Sequence, residues 1–397
     1  MTTVASTPAH SPAVLTVVIG CATTCFAVAS VYLMQPVMAE IGKTFHVSPN
    51  DARLAFSAAS IAYAMAFFFL GPLTDRLDPR KMSLVGLLAA ALGVAAASLV
   101  SDFRLLLVIL ALQGVAAALV PAAMFALIPR VAPKESVGTY FGFVIAATVL
   151  GITFGRSGMS FATAQLGLSG ALQLCAAVLL LAAAINQVLP SNTSWQRSTT
   201  TLWTAYLNAL RMLCMPKLLR LFGTGFLLFF GYLGLLTFLT LRLHQPPFSY
   251  DSTAIGSISL LGLSALPGAP LSGRLISKVG SLAVGLGALV IVLAAISCLA
   301  FARNEAMLSA GVLLLFFGVF SCQPAVFVRI VQRVGQDQRG AASSLYLLTC
   351  LGAGSTASAS LGPVWNSGGW AAVSSVSALA VVLGAALLGY DSLTTDR

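Results

Sequence analysis

Apolar residues run along this chain in blocks about as long as a bilayer is thick, separated by short polar punctuation. A hydrocarbon core of about 30 Å takes roughly 20 helical residues. That ruler marks out twelve segments, the first six at residues 14–38, 53–73, 82–101, 104–128, 137–161 and 169–189. The second six fall at 221–241, 253–273, 282–302, 306–328, 340–362 and 370–390. Between the two sets, the stretch from Ser191 to Arg220 is more polar. Within it Trp203, Tyr206, Leu207, Leu210 and Leu213 recur at helical spacing, which predicts a helix lying in the membrane surface. The expected organisation is a half at 1–190, a linker at 191–220 and a half at 221–397. The first apolar run is longer than the roughly 7–15 residues of a cleavable leader, so it is expected to stay as a span.

Composition turns this pattern into a class. Hydrophobic residues make up 58% of the chain and charged residues 8%, against about 25% charged in soluble domains. The reading is an all-α polytopic membrane protein of 12 transmembrane helices. Its net charge of +10 suggests nucleic acid at first sight, but the basic residues stand singly between apolar spans. No Lys/Arg stripe with interleaved aromatics is present, so no nucleic-acid partner is expected. An N-terminus in the cytoplasm leaves only Lys43, Arg53, Arg104, Arg242 and Arg303 outside, with nearly all other basic residues inside. That is the positive-inside bias, with both termini cytoplasmic.

Catalytic chemistry has little to work with. The seven cysteines form no CxxC pair and read as small buried hydrophobes rather than a disulfide or metal framework. His10, His46 and His244 fall in the tail or outer loops with no metal-ligand spacing, and no phosphate-cradling loop occurs. No enzyme activity, metal or cofactor is expected, and any work must draw on a gradient.

One loop concentrates the charge. GPLTDRLDPRK (Gly71–Lys81) holds five charged residues between Asp75 and Lys81. A weaker copy, GRLISKVG, begins at Gly273, with Gly71 matching Gly273 and Arg76 matching Lys278 at an offset of 202. A second pair, PAAMFALIPRV from Pro121 and PAVFVRIVQRV from Pro324, matches Arg130 with Arg333 at an offset of 203. Two echoes in matching spans predict two parallel six-helix halves about an axis along the membrane normal, with a substrate path between them.

These stretches resemble the Major Facilitator Superfamily, and the resemblance covers essentially the whole chain. GPLTDRLDPRK is similar to the family's loop between its second and third helices, with Asp78 where the family has glycine. VYLMQPVMAEIGKTFHVSP (Val31–Pro49) and RGAASSLYLLTCLGAGS (Arg339–Ser355) resemble bacterial efflux permeases for small molecules. GITFGRSGMS (Gly151–Ser160) resembles the antiporter glycine pattern of the fifth helix, with Arg156 in place of proline. The family's fourth-helix arginine, three residues before Gln113-Gly114, is Leu110 here. The resemblance implies a monomeric secondary transporter of a bacterial inner membrane that exports a small molecule, by proton antiport. It also implies a conformational latch of Gly71, Asp75, Arg76 and Arg80, with Gly273 and Lys278 in the second half and Asp75 facing the start of the eleventh helix. A dedicated metabolite or siderophore exporter, an importer and a transporter-like sensor that moves nothing remain alternatives.

The acidic residues map to loops, span ends or tails, which argues against a cavity built for cations and favours neutral or anionic substrates. Arg156 is the basic residue well inside a span, and either snorkels to headgroups, binds an anion or has a structural role. With it, Tyr32, Gln35, Gln113, Tyr232, Gln323 and Tyr346 are the candidate substrate residues, being polar groups in apolar spans.

Overall fold

The apolar blocks form helices whose ends are set by caps and helix breakers. The computed structural model describes residues 12–74, 76–189, 201–243, 245–250, 258 and 260–393. Helices α1 (Pro12–Val31), α2 (Met38–Phe45), α3 (Pro49–Thr74), α4 (Pro79–Ala97), α5 (Phe103–Val131) and α6 (Val137–Asn186) make the first half. The linker helix is α7 (Leu202–Cys214). The second half holds α8 (Pro216–Leu243), α9 (Ala265–Val279), α10 (Ser281–Ala300), α11 (Glu305–Arg333) and α12 (Arg339–Leu393).

At 50 and 55 residues, α6 and α12 are each two spans in one run. They break at Gly167 (φ 70°) and Gly369 (φ 59°), left-handed positions that a side chain would strain. Those glycines are again 202 residues apart, so the chain turns at the same place in both halves. With these breaks counted, the described helices supply the twelve spans of an all-α, two-half fold.

Two predicted spans are corrected. The first, expected over 14–38, stops as a helix at Val31, and residues 32–37 form turns. Pro36 has no N–H to offer the helical ladder, and α2 then starts as a separate amphipathic helix. The eighth, expected to end at 273, continues further: a 3₁₀ turn at Leu260–Ser264 leads into α9, which runs on to Val279. Residues 251–257 and 259 lie outside the described residues, as do 190–200 of the linker.

The departure at Asp78 is resolved by capping. Asp78 Oδ1 accepts the Arg80 N–H at 2.9 Å while Pro79 fills the first helical position of α4. The second copy turns at the matching residue by a different route, with Gly280 at φ 85° and no side-chain cap. Arg76 donates to the Thr201 carbonyl at 2.8 Å, and Tyr206 of α7 donates to the Phe69 carbonyl at 2.6 Å. The surface helix is thereby tied to α3, with Trp203 facing outward. One cysteine expected to be buried, Cys214, is exposed at the end of α7.

The halves meet closely at one end, the end that gathers most of the basic residues. A methyl group placed on Gly71 would lie 3.2 Å from Ser344 Cβ and 3.3 Å from Ala341 Cα, so α3 and α12 approach here nearly backbone to backbone. The matching contact sets Gly138 and Gly142 of α6 against Gly273 and Ala269 of α9, with carbonyls where a side chain would have to go. Above these contacts Phe125 and Phe327, 202 residues apart, stack with centroids 4.9 Å apart and planes 7° from parallel. Phe141 stacks on Phe327 at 5.0 Å, and Tyr346 meets it edge-on at 4.7 Å. Each such pair is worth about 0.5–1.5 kcal/mol.

One acidic residue, at a span end as expected, is nonetheless buried. Asp391 is fully buried, and its Oδ2 accepts from Arg329 at 2.8 Å and Arg333 at 2.7 Å, pinning α11 to the end of α12. Removing one member of a buried pair costs about 3–5 kcal/mol because the partners are left uncompensated. Asp391→Asn is therefore expected to lower the unfolding temperature of the detergent-purified protein markedly, and an unchanged melt would remove this triad from the structural account. Gly142→Leu is expected to prise α6 from α9 and raise maleimide labelling of Cys350 several-fold, as located by mass spectrometry.

Candidate functional site

Away from the basic end the halves diverge and enclose a continuous space. A cavity of about 430 Å³ is lined from the first half by Tyr32, Gln35, Ile152, Thr153 and Arg156, and from the second mainly by α8 and α11. It leads down into a narrower pocket of about 150 Å³, whose lining includes Tyr63, Phe125, Gln323 and Cys350. Phe125 belongs to the aromatic stack, so that stack is the floor. At the other end Arg156 also borders a wider vestibule of about 520 Å³, with Pro36, Ser157, Ser160, Phe161 and Leu260. This vestibule continues the cavity away from the aromatic floor. The arrangement is closed at the basic end and open at the opposite one.

Local structure explains why these side chains line the cavity. The break in α1 at Val31 lets Tyr32 and Gln35 leave the helix surface, held by turn bonds from Tyr32 N to Ala29 O and from Gln35 N to Tyr32 O. Gln35 Oε1 is buried there without a hydrogen-bond partner. Gly151 and Gly155 of α6 lie on the Cys25 and Ala29 carbonyls of α1, so α6 is pressed against α1 and its next residue, Arg156, turns into the open space. Its guanidinium makes no hydrogen bond or ion pair with the described residues. Tyr232 projects from α8 and packs edge-on to Phe316 at 5.3 Å.

Of the seven candidates, Tyr32, Gln35, Arg156 and Tyr232 come together in the main cavity, and Gln323 joins Tyr32 and Tyr232 in the deeper pocket. Two are corrected. Gln113 is 1% exposed and donates to Ser30 Oγ at 2.7 Å, so it joins α5 to α1 behind the wall. Tyr346 is fully buried in the aromatic stack, its ring fitted against Gly225. Among the latch candidates, Gly71 and Gly273 sit at the contacts between halves. Arg76 reaches the linker helix, and Arg80 donates to Gln187 of its own half at 2.9 Å. Lys278 is exposed, and Asp75 lies outside the described residues.

Sequence reasoning passed over Thr153, Thr237, Phe316 and Phe320 in the lining. It also passed over the floor, although Phe125 and Phe327 share the offset of the recognised repeat.

The described charges account for Arg156 being alone. Glu40 pairs with Lys43 at 2.9 Å, Ser48 donates to Asp51, Asp78 and Asp102 cap helices, and Asp391 serves its two arginines. Among the described residues that line the main cavity, Arg156 is the one charged side chain.

Comparison with known proteins is consistent across three kinds of match. A family model described as Major Facilitator Superfamily matches residues 20–359. An uncharacterized MFS-type transporter of Bacillus subtilis, YybF, is 26% identical over 364 residues, covering 91% of this chain and 89% of that one. The putative uncharacterized transporter YgaY of Escherichia coli is 27% identical over 376 residues, covering 92% and 93%. Among solved structures, the human organic anion transporter MFSD10 superposes with a TM-score of 0.79 at 20% identity, covering 96% of this chain and all of that one. A bacterial homologue of the iron transporter ferroportin, in its outward-facing state, gives 0.76 at 16% identity, covering 96% and 99%.

Cavity and wall residues should separate in experiment. Tyr232→Phe and Gln35→Ala are expected to change the apparent affinity for a transported compound with little change in melting temperature. Gln113→Leu is expected to do the reverse, costing about 1 kcal/mol in stability for its lost bond and leaving affinity unchanged.

Proposed function

Because the chain belongs to the Major Facilitator Superfamily, and so is a multi-pass membrane transporter, we propose that it exports a small organic anion by alternating access. The observation that carries this reading is a lone guanidinium, Arg156, in a cavity otherwise lined by apolar and neutral polar groups. A site of about 430 Å³ suits a compound with one anionic head and an apolar body. Tyr32, Gln35 and Thr153 would orient the head, and Leu233, Leu236 and Phe316 would cover the body. The description of the neighbouring human protein as an organic anion transporter supports the same substrate class.

The positive-inside rule assigns the basic end to the cytoplasm, with both termini there, and resemblance to bacterial efflux permeases supports an inner membrane and the direction of export. On this reading the cytoplasmic gate is the stack of Phe125, Phe141 and Phe327 over the close contacts of Gly71 and Gly273. Asp75, at the start of the following loop, would latch it to the start of α12. The contacts are individually weak, so binding energy of a few kcal/mol is enough to move the equilibrium between states. Proton antiport is the coupling implied by the resemblance, yet no carboxylate borders the cavity among the described residues. A proton would have to travel by another group. The chain is expected to work as a monomer.

The test is uptake into inverted membrane vesicles, which corresponds to export. Radiolabelled aromatic carboxylates and sulfonates are compared with their uncharged amides. Arg156→Gln is expected to reduce uptake of transported acids at least about tenfold, the loss of one charge-assisted contact. Unchanged acid uptake in a well-inserted variant would sink the anion reading.

A further inference from the structure

The open mouth that Arg156 borders has an apolar opposite wall. Across from it stand Leu239, Leu243, Ile258, Gly262 and Val312, and Leu260 faces it at the rim. On its own side the near polar groups are neutral: Tyr32, Gln35, Thr153, Ser157 and Ser160. Closing this mouth brings the two walls together and takes water away from the guanidinium. A buried charge without a counter-charge is strongly unfavourable. The described residues offer none: Glu40, Asp51, Asp78, Asp102 and Asp391 are committed to other bonds, and no described acid borders the mouth.

Resting on the organic-anion reading, we propose that Arg156 makes closure of the outer mouth conditional on a bound anion, so that the protein works as an anion exchanger. After an exported anion leaves, the empty carrier is held outward-open with its guanidinium hydrated. A second anion entering from outside neutralises the charge, the mouth closes, and the carrier returns loaded. The counter-substrate for export is then an external anion rather than a proton. No bond is made or broken in this cycle, and charge is carried through the closed state as a neutral pair.

The experiment has two arms. In the first, the purified protein is mixed with benzoate, phenylacetate, benzenesulfonate or naphthalene-2-sulfonate, or with the matching amide or sulfonamide, and thermal stabilisation is read. Stabilisation by one or more anions and by none of the neutral partners, lost in Arg156→Gln, supports the anion site. Stabilisation by none of the anions, or equally by both members of each pair, overturns the underlying organic-anion reading and the exchange with it.

In the second arm, the best-binding anion is taken up by inverted vesicles, which are preloaded with the same unlabelled anion or left anion-free. Exchange predicts uptake about tenfold faster into the preloaded vesicles, because only a neutralised Arg156 lets the mouth close. An imposed pH gradient is expected to leave that ratio unchanged. The Lys variant, Arg156→Lys, keeps the charge and should keep the preloading effect. Equal uptake into preloaded and anion-free vesicles, with the first arm intact, overturns exchange while leaving the anion site standing. Acceleration by the pH gradient alone, without preloading, does the same in favour of proton antiport.

Discussion

The close approach of the two halves at the basic end governs everything above it. Backbone meets backbone where Gly71 faces Ala341 and where Gly138 and Gly142 face Gly273 and Ala269. Helices can come this near only where side chains are absent or small, and in lipid such packing supplies much of what holds spans together. With the halves pinned at one end and each helix rigid along its length, the other end is left to diverge. The cavity, its aromatic floor and its open mouth are the geometric result. The same symmetry that repeats Gly71 as Gly273 also stacks Phe125 on Phe327 between the two halves.

Charge follows a similar economy. In a chain with so few ionisable residues, several of the described charges cap a helix, tie a surface helix down or close a buried network. Asp78 begins α4, Arg76 holds the cap of α7, and Asp391 joins α11 to α12. Arg156 stands apart from that scheme. It sits in the outer part of α6, placed there by the contact of Gly155 with α1 rather than by a partner of its own. An unpaired guanidinium in low-dielectric surroundings is costly to enclose, and that cost is what can make a conformational change wait for a ligand.

Much of this was legible in the sequence, because bilayer thickness imposes a length on every span. The twelve spans and the parallel halves follow from hydropathy and from an offset of 202 to 203 residues, and the presence of a linker helix from the spacing of Trp203 to Leu213. What was misread has physical causes. Hydropathy does not register that Pro36 ends a helix within an apolar run, so Tyr32 and Gln35 were expected on a helix rather than in a turn facing the cavity. A buried glutamine bonding one helix to another looks the same in sequence as one awaiting a ligand, and so Gln113 was placed among substrate residues. Tyr346 misled for the matching reason, since its aromatic ring serves the floor. The floor was harder to see: the Pro121 and Pro324 echo runs at an offset of 203, which sets Phe125 against Val328, and only the 202 offset of Gly71 and Gly273 pairs Phe125 with Phe327.

The central claim is that the outer mouth closes only when Arg156 carries an anion. The most direct measurement is the distance across that mouth, between spin labels introduced through Phe161→Cys and Leu260→Cys on a background freed of native cysteines. The account predicts a long separation in the empty protein, a shift towards a shorter one when a bound sulfonate is added, and a short population in Arg156→Gln without any anion. A distance distribution that the anion leaves unmoved, or that stays long in Arg156→Gln, would contradict it.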